Sequence, residues 1–161
     1  MAVGSASWSF TEDDFGAITQ SLQRFLHESN ARCTLLVDRS GQLVATVGEQ
    51  PKFDPTAFAT LTAADFSAND QLAQLIGEAD FSSLAHEGEN ESLYVADIAH
   101  KLLLVVLFDK HTTLAIVRML APSVAQELAV IFSATLSRES PPFDGLGLLH
   151  DAESEIDRLF S

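Results

Sequence analysis

The side chains from which metal or acid–base chemistry would have to be built are His27, His86, His100, His111 and His150, the single cysteine Cys33, and 23 aspartates and glutamates. A zinc site needs histidines or cysteines at ligand spacing, as in H-x-H, H-E-x-x-H or a Cys/His cluster, and none of these occurs. His86 and Glu87 can approach His100 across strands, but a histidine beside a turn is not a ligand set by itself. Cys33 opens an apolar run and reads as a small buried hydrophobe, not as a nucleophile. The carboxylates are scattered, with no pair marked out as acid and base. Gly145-Leu146-Gly147 follows no strand and lacks the third glycine of a phosphate loop, and no G-x-S-x-G is present. These patterns predict no catalytic residue, no metal site and no cofactor, and they direct attention to protein binding.

Charge narrows the partners. Nine basic residues stand against 23 acidic ones, a formal charge of −14 over 161 residues. Such a chain is repelled by phosphate backbones and anionic lipid, so neither nucleic acid nor a membrane is an expected partner. With 47% hydrophobic and 20% charged residues there is enough apolar material for one packed domain. A single cysteine allows no internal disulfide. Met1 to Phe10 has neither a basic region nor a long apolar run, and Leu102 to Phe108 is too short to span a bilayer. The expected location is cytoplasmic.

Around these residues the chain divides into regular elements. Thr11 reads as an N-cap with Glu12, Asp13 and Asp14 behind it, and Phe10 and Phe15 have the spacing of a hydrophobic staple. Phe15, Ile18, Leu22, Phe25 and Leu26 form one stripe of a helix that fades near Ser29–Asn30. Cys33 to Val37 and Gln42 to Val47 flank the turn Asp38-Arg39-Ser40-Gly41 and predict a hairpin. Asp54-Pro55 starts a second, alanine-rich helix, on which Phe58, Leu61, Ala64, Ala68, Leu72 and Leu75 keep helical spacing up to Gly77. Strands follow at Phe81 to Glu87, Glu91 to Ile98 and Lys101 to Phe108, the last apolar on both faces as a central strand would be. Thr112 or Thr113 caps a last helix, in which Pro122 is expected to produce a kink or a break near Ala121.

Residues 1–138 make the domain, the Pro/Gly-rich stretch 139–150 a linker, and residues 151–161 a flexible tail. In the tail, Ile156, Leu159 and Phe160 share one helical face among Asp151, Glu153, Glu155 and Asp157. A segment this short holds a helix only against another surface, either a partner's or that of its own domain.

The order α-β-β-α-β-β-β-α, with a central antiparallel sheet and helices on both faces, resembles the roadblock/LC7 (light-chain) domain. Within that class, Ala31 to Gln42 (ARCTLLVDRSGQ), Leu75-Ile76-Gly77-Glu78, His86-Glu87-Gly88 and Ser92-Leu93-Tyr94 are similar to the bacterial MglB proteins. Leu103 to Asp109, Thr113-Leu114, Val117-Arg118 and the terminal Ile156-Asp157-Arg158-Leu159-Phe160 continue the pattern. The resemblance implies a homodimer that binds MglA, a small Ras-like GTPase of bacterial polarity and motility, and activates its GTP hydrolysis without an arginine finger. It also implies concentration at a cell pole. Carried over by position, the GTPase-binding residues are Thr62, Ala63, Phe66, Ser67, Asp70 and Gln71, joined by Ile156, Leu159 and Phe160 of the tail. The homodimer interface is Ala64, Ala68, Ser83, Leu84, Ala85 and His86. One stretch departs from the family, because Asp65, Phe66 and Asp70 stand where its pattern has small residues. That departure keeps a second reading open, a non-activating adaptor or scaffold that tethers a GTPase or another polarity protein.

Overall fold

The computed structural model describes residues 10–139 and residue 159. Helix α1 (Glu12–Ser29) begins in a closed capping box: the Thr11 hydroxyl accepts from the Asp14 N–H at 3.1 Å, and the Asp14 carboxylate accepts from the Thr11 N–H at 3.0 Å. The staple is also present, with the Phe10 ring meeting Phe15 at 5.5 Å and Phe132 at 5.3 Å. Asn30 ends the helix in the left-handed conformation. Strands β1 (Cys33–Asp38) and β2 (Leu43–Gly48) form the expected hairpin, turning at Gly41 with φ +98°. Asp54 then accepts from the Thr56 N–H at 3.0 Å and Pro55 opens α2 (Pro55–Leu75).

Strands β3 (Ser83–Glu87), β4 (Ser92–Ile98) and β5 (Leu102–Phe108) form a meander. Ala99 and His100 turn β4 into β5 with φ of 53° and 59°, and the Lys101 N–H donates to the Ile98 carbonyl at 3.0 Å across the turn. The Asp97 carboxylate supports that turn by accepting from the His100 N–H. Helix α3 (Leu114–Glu139) is capped by Thr113, whose hydroxyl accepts from the Ile116 N–H at 3.2 Å. The expected break at Pro122 does not occur, and α3 runs through it as one element. Pro122 lies on the exposed side, where water can reach the carbonyl that it leaves without a donor.

The sheet order is β2-β1-β5-β4-β3, antiparallel throughout, so β5 is the central strand and β3 one edge. Strand alternation sorts the core into two layers. Leu36, Tyr94, Ala96, Leu104 and Val106 face α1 and α3, which bring Ile18, Leu22, Phe25, Val117, Val124, Leu128 and Phe132. Leu35, Val37, Val95, Leu103 and Val105 face α2, which brings Ala59, Ala63 and Phe66. Stretch Leu114–Ser137 is long and apolar enough, by length and composition, to cross a membrane. Here its Val117, Ala121, Val124, Leu128 and Phe132 are buried under the sheet and α1. Of the expected linker and tail, only Glu139, which closes α3, and Leu159, an exposed helical residue, lie within the described residues. Ile156, Phe160 and His150 lie outside them.

Candidate functional site

Helix α2 has two apolar sides, and the sheet takes the one that sets Phe66 among small residues. Ala59, Thr62, Ala63, Phe66 and Ala73 are buried. The close approach is possible because Gly41 has no side chain: a Cβ there would meet the Thr60 Cα at 3.2 Å. The stripe expected from spacing points the other way. Leu61 is 69% exposed and Leu75 82%, with Ala64, Ala68 and Leu72 between them also in solvent. Period alone cannot orient a helix that is apolar all round.

This orientation places the carried-over GTPase contacts differently from one another. Thr62, Ala63 and Phe66 are buried against the sheet and offer no side chain to a partner, leaving Ser67 and Gln71 exposed. Asp70 is half-buried and committed within the chain. Its carboxylate accepts from Arg39 at 2.7 Å, while the other arm of the same guanidinium reaches Asp97 of β4. The Arg39 guanidinium also lies over the Phe66 ring, 4.8 Å from its centroid. Burial works against the Arg39 charge, and the hydrogen bonds to Asp70 and Asp97 more than offset it, so its pKa is raised. Asp65 is likewise engaged, 2.6 Å from His86 Nε2 on β3. The three residues that depart from the family pattern therefore lock α2 to the sheet.

What α2 shows to solvent is unusual for a chain of charge −14. Every exposed position on it, from Thr56 to Leu75, is uncharged. Exposed Leu61, Leu72, Leu75 and Ile76 extend that surface in apolar form. A contiguous exposed apolar face without charge has the composition of a protein interface. Sequence spacing alone gave these leucines a common stripe without saying which way it faces.

Beside α2 the sheet is uncovered at one end, leaving a groove of about 580 Å³. Leu93, Leu107 and Cys33 line it together with Phe58 and Phe53, whose rings lie 4.7 Å apart. Burial pushes the Cys33 thiol up to about 11, which keeps it protonated and unreactive at neutral pH. On the rim, Arg32 is held by Glu49 at 2.7 Å and by Glu91. His86, Glu87 and Gly88, at one end of edge strand β3, close the mouth. Among the carried-over dimer residues, Ala64, Ala68 and His86 are exposed, and Ser83, Leu84 and Ala85 are half-buried along that edge.

The histidines are apart. His86 pairs with Leu93 across the ladder and His100 sits beyond Ile98 at the opposite end of β4, so the approach considered from sequence does not occur. His100 lies by Asp97, and His111 by Asp109. Hydrogen bonds from the His111 backbone and ring hold the Asp109 carboxyl below the usual range. No group of three or more metal-binding side chains is found among the described residues.

A five-stranded antiparallel sheet in the order β2-β1-β5-β4-β3, with two helices behind it and one in front, defines a class. The sequence matches the Roadblock/LC7 domain over residues 18–108, and the chain belongs to that family. The relatives are more particular than the family. MglB of Myxococcus xanthus is 38% identical, with 74% of this chain and 98% of that one covered at a TM-score of 0.71. The gliding protein MglB of Thermus thermophilus is 32% identical, covering 80% and 97%, at 0.73. A structure described as MglB with tetrameric arrangement is also 32% identical, covering 82% and 99%, at 0.76. No curated protein matches the chain by sequence. The protein is a roadblock-domain protein related to MglB.

Proposed function

We propose that this protein is a non-catalytic regulator of a small Ras-like GTPase of the MglA type, acting as a homodimer to accelerate GTP hydrolysis. The uncharged, partly apolar outer face of α2 carries this reading, because an acidic protein displays such a face only where another protein covers it. The relation to MglB supplies the class of that partner. Ser67 and Gln71 are the carried-over contacts available on α2, with Ile156, Leu159 and Phe160 of the tail as a second contact region. The relation to MglB implies that stimulation would come from repositioning groups the GTPase already owns, not from an arginine finger. The homodimer forms through Ser83, Leu84, Ala85 and His86 of edge strand β3 and through Ala64 and Ala68 of α2. The adaptor reading is the alternative: Asp65, Phe66 and Asp70 make contacts within the fold, and an adaptor predicts a stable complex whose hydrolysis rate is unchanged. Cell-pole concentration follows from the same relation.

Single-turnover phosphate release from an MglA-type GTPase, with and without this protein, tests the reading. A rise of about tenfold or more is expected. A stable complex with an unchanged rate would return the protein to the adaptor class, and no complex on gel filtration would remove the GTPase as a partner.

A further inference from the structure

We propose that the groove beside α2 docks a segment of another protein in which a large apolar side chain is flanked by lysine or arginine. The floor of the groove is one transverse row of the sheet. Gly48 stands opposite Cys33, Cys33 opposite Leu107, Leu107 opposite Leu93, and Leu93 opposite His86, so the row crosses the sheet from edge to edge. Strand spacings of about 4.8 Å make this row about 19 Å long, the reach of an extended segment of about six residues. Helix α2 approaches the sheet closely at Gly41, at the opposite end of the β1–β2 hairpin, and of its side chains only Phe58 lines this row. Leu107 is in consequence the one residue of central strand β5 that is not buried.

Charge decides what suits this floor. Glu49 follows β2 at one edge of the sheet, and Glu87 and Glu91 flank the β3–β4 turn at the other. The Arg32 guanidinium lies between Glu49 and Glu91, with Asp109 at 3.8 Å, and so offers little to an anionic ligand. Glu87 is exposed and has no ion pair among the described residues. Lys52 is the remaining lysine or arginine of the lining, so carboxylates outnumber cations around an apolar floor. An acidic segment would be repelled at this rim, and a neutral apolar ligand would draw nothing from it. A basic segment with an apolar anchor uses both, and the paired rings of Phe53 and Phe58 can also receive a guanidinium on their faces. Ser67 and Gln71 are not among the lining residues, so this site does not depend on the GTPase reading.

Random peptides displayed on phage and selected on the full-length protein test the assignment. The expected consensus is an aromatic or leucine anchor with lysine or arginine on one or both sides. Dye-labelled synthetic copies of the selected peptides are then titrated by fluorescence anisotropy. Phe53 is 39% exposed, so Phe53→Ala tests the floor without opening the core. That change is expected to weaken binding about tenfold. Glu87→Lys is expected to weaken it about fivefold at low salt and less at high salt, with Glu87→Gln acting in the same direction by a smaller factor. Gln126→Ala, on the helical layer behind the sheet, is expected to change nothing. A selection that returns no consensus, an acidic one or a purely apolar one would overturn the proposal. So would basic peptides that bind the Phe53→Ala and Glu87→Lys proteins as tightly as the wild type.

Discussion

Replacing Arg39 by methionine should destabilise the protein by about 2–4 kcal/mol, most of it through the two carboxylates left behind. The side chains of Arg39, Asp70 and Asp97 are 27%, 23% and 14% exposed, which places the cluster between two measured regimes. Fully exposed pairs are worth roughly 0.2–1 kcal/mol each. Removing one partner of a fully buried pair costs about 3–5 kcal/mol, because the other charge is left uncompensated. Partial solvent access scales the second figure down, and loss of the cation from the Phe66 face adds roughly 0.5–1 kcal/mol. Methionine keeps much of the aliphatic stem, so the loss reports on charge more than on packing. For a chain of this size the change corresponds to a drop in melting temperature of roughly 6–12 °C. Urea unfolding followed by circular dichroism at one fixed protein concentration measures it, the fixed concentration being needed because any association of chains would add to apparent stability. Asp70→Asn alone should cost less, since Arg39 retains Asp97. Combining the two changes should recover part of the Arg39 loss by removing a stranded charge. A loss below about 1 kcal/mol, or simple additivity in the double variant, would refute the clamp as the device that seats α2.

Two further expectations concern the scaffold and the groove. Gly16→Ala should stabilise by roughly 0.5–1 kcal/mol, because a Cβ in the middle of α1 meets nothing within 4 Å; Gly48→Ala should cost about 2 kcal/mol or more, because at φ +107° its Cβ would stand 2.6 Å from the Arg32 carbonyl. Urea midpoints of opposite sign check the pair. Cys33, buried and with its thiol pushed up to about 11, should resist iodoacetamide in the folded protein at pH 7–8 and react fully in denaturant; stoichiometric labelling of the native protein would show that the groove floor is open to reagents.

Local signals in the sequence located nearly every element, for identifiable physical reasons. Thr11 with Asp14 and Asp54 with Pro55 are short-range devices that act within four residues, so they survive without tertiary information. The seven apolar residues of β5 could only be a strand covered on both faces, and β5 is the centre of the sheet. Of the two outcomes expected at Pro122 the break does not occur, because a proline on the solvent side of a packed helix costs one hydrogen bond and leaves the burial on the other side intact. The orientation of α2 was not legible, since it depends on which side approaches a surface closely, and that is set by Gly41 in a distant hairpin. Asp65 and Asp70 read as surface acids because their partners, His86 and Arg39, lie 21 and 31 residues away in sequence. The groove was invisible for the same reason, being assembled from the β2–α2 connection, the β3–β4 turn and the interior of the sheet.

These placements explain how an acidic chain keeps an associating surface. Repulsion from a net charge of −14 opposes any approach by another acidic protein or by a second copy. On α2 that opposition is removed locally. Its two acids are turned toward His86 and Arg39, and its small residues let the inner side lie close to the sheet. The outer side is left with threonine, serine, glutamine, alanine and leucine. The same two contacts therefore do two things at once: they hold the helix against the sheet, and they turn both carboxylates toward partners within the fold. With both carboxylates engaged inside the fold, the exposed side of α2 is left uncharged, and this is the face on which the proposed partner binding rests.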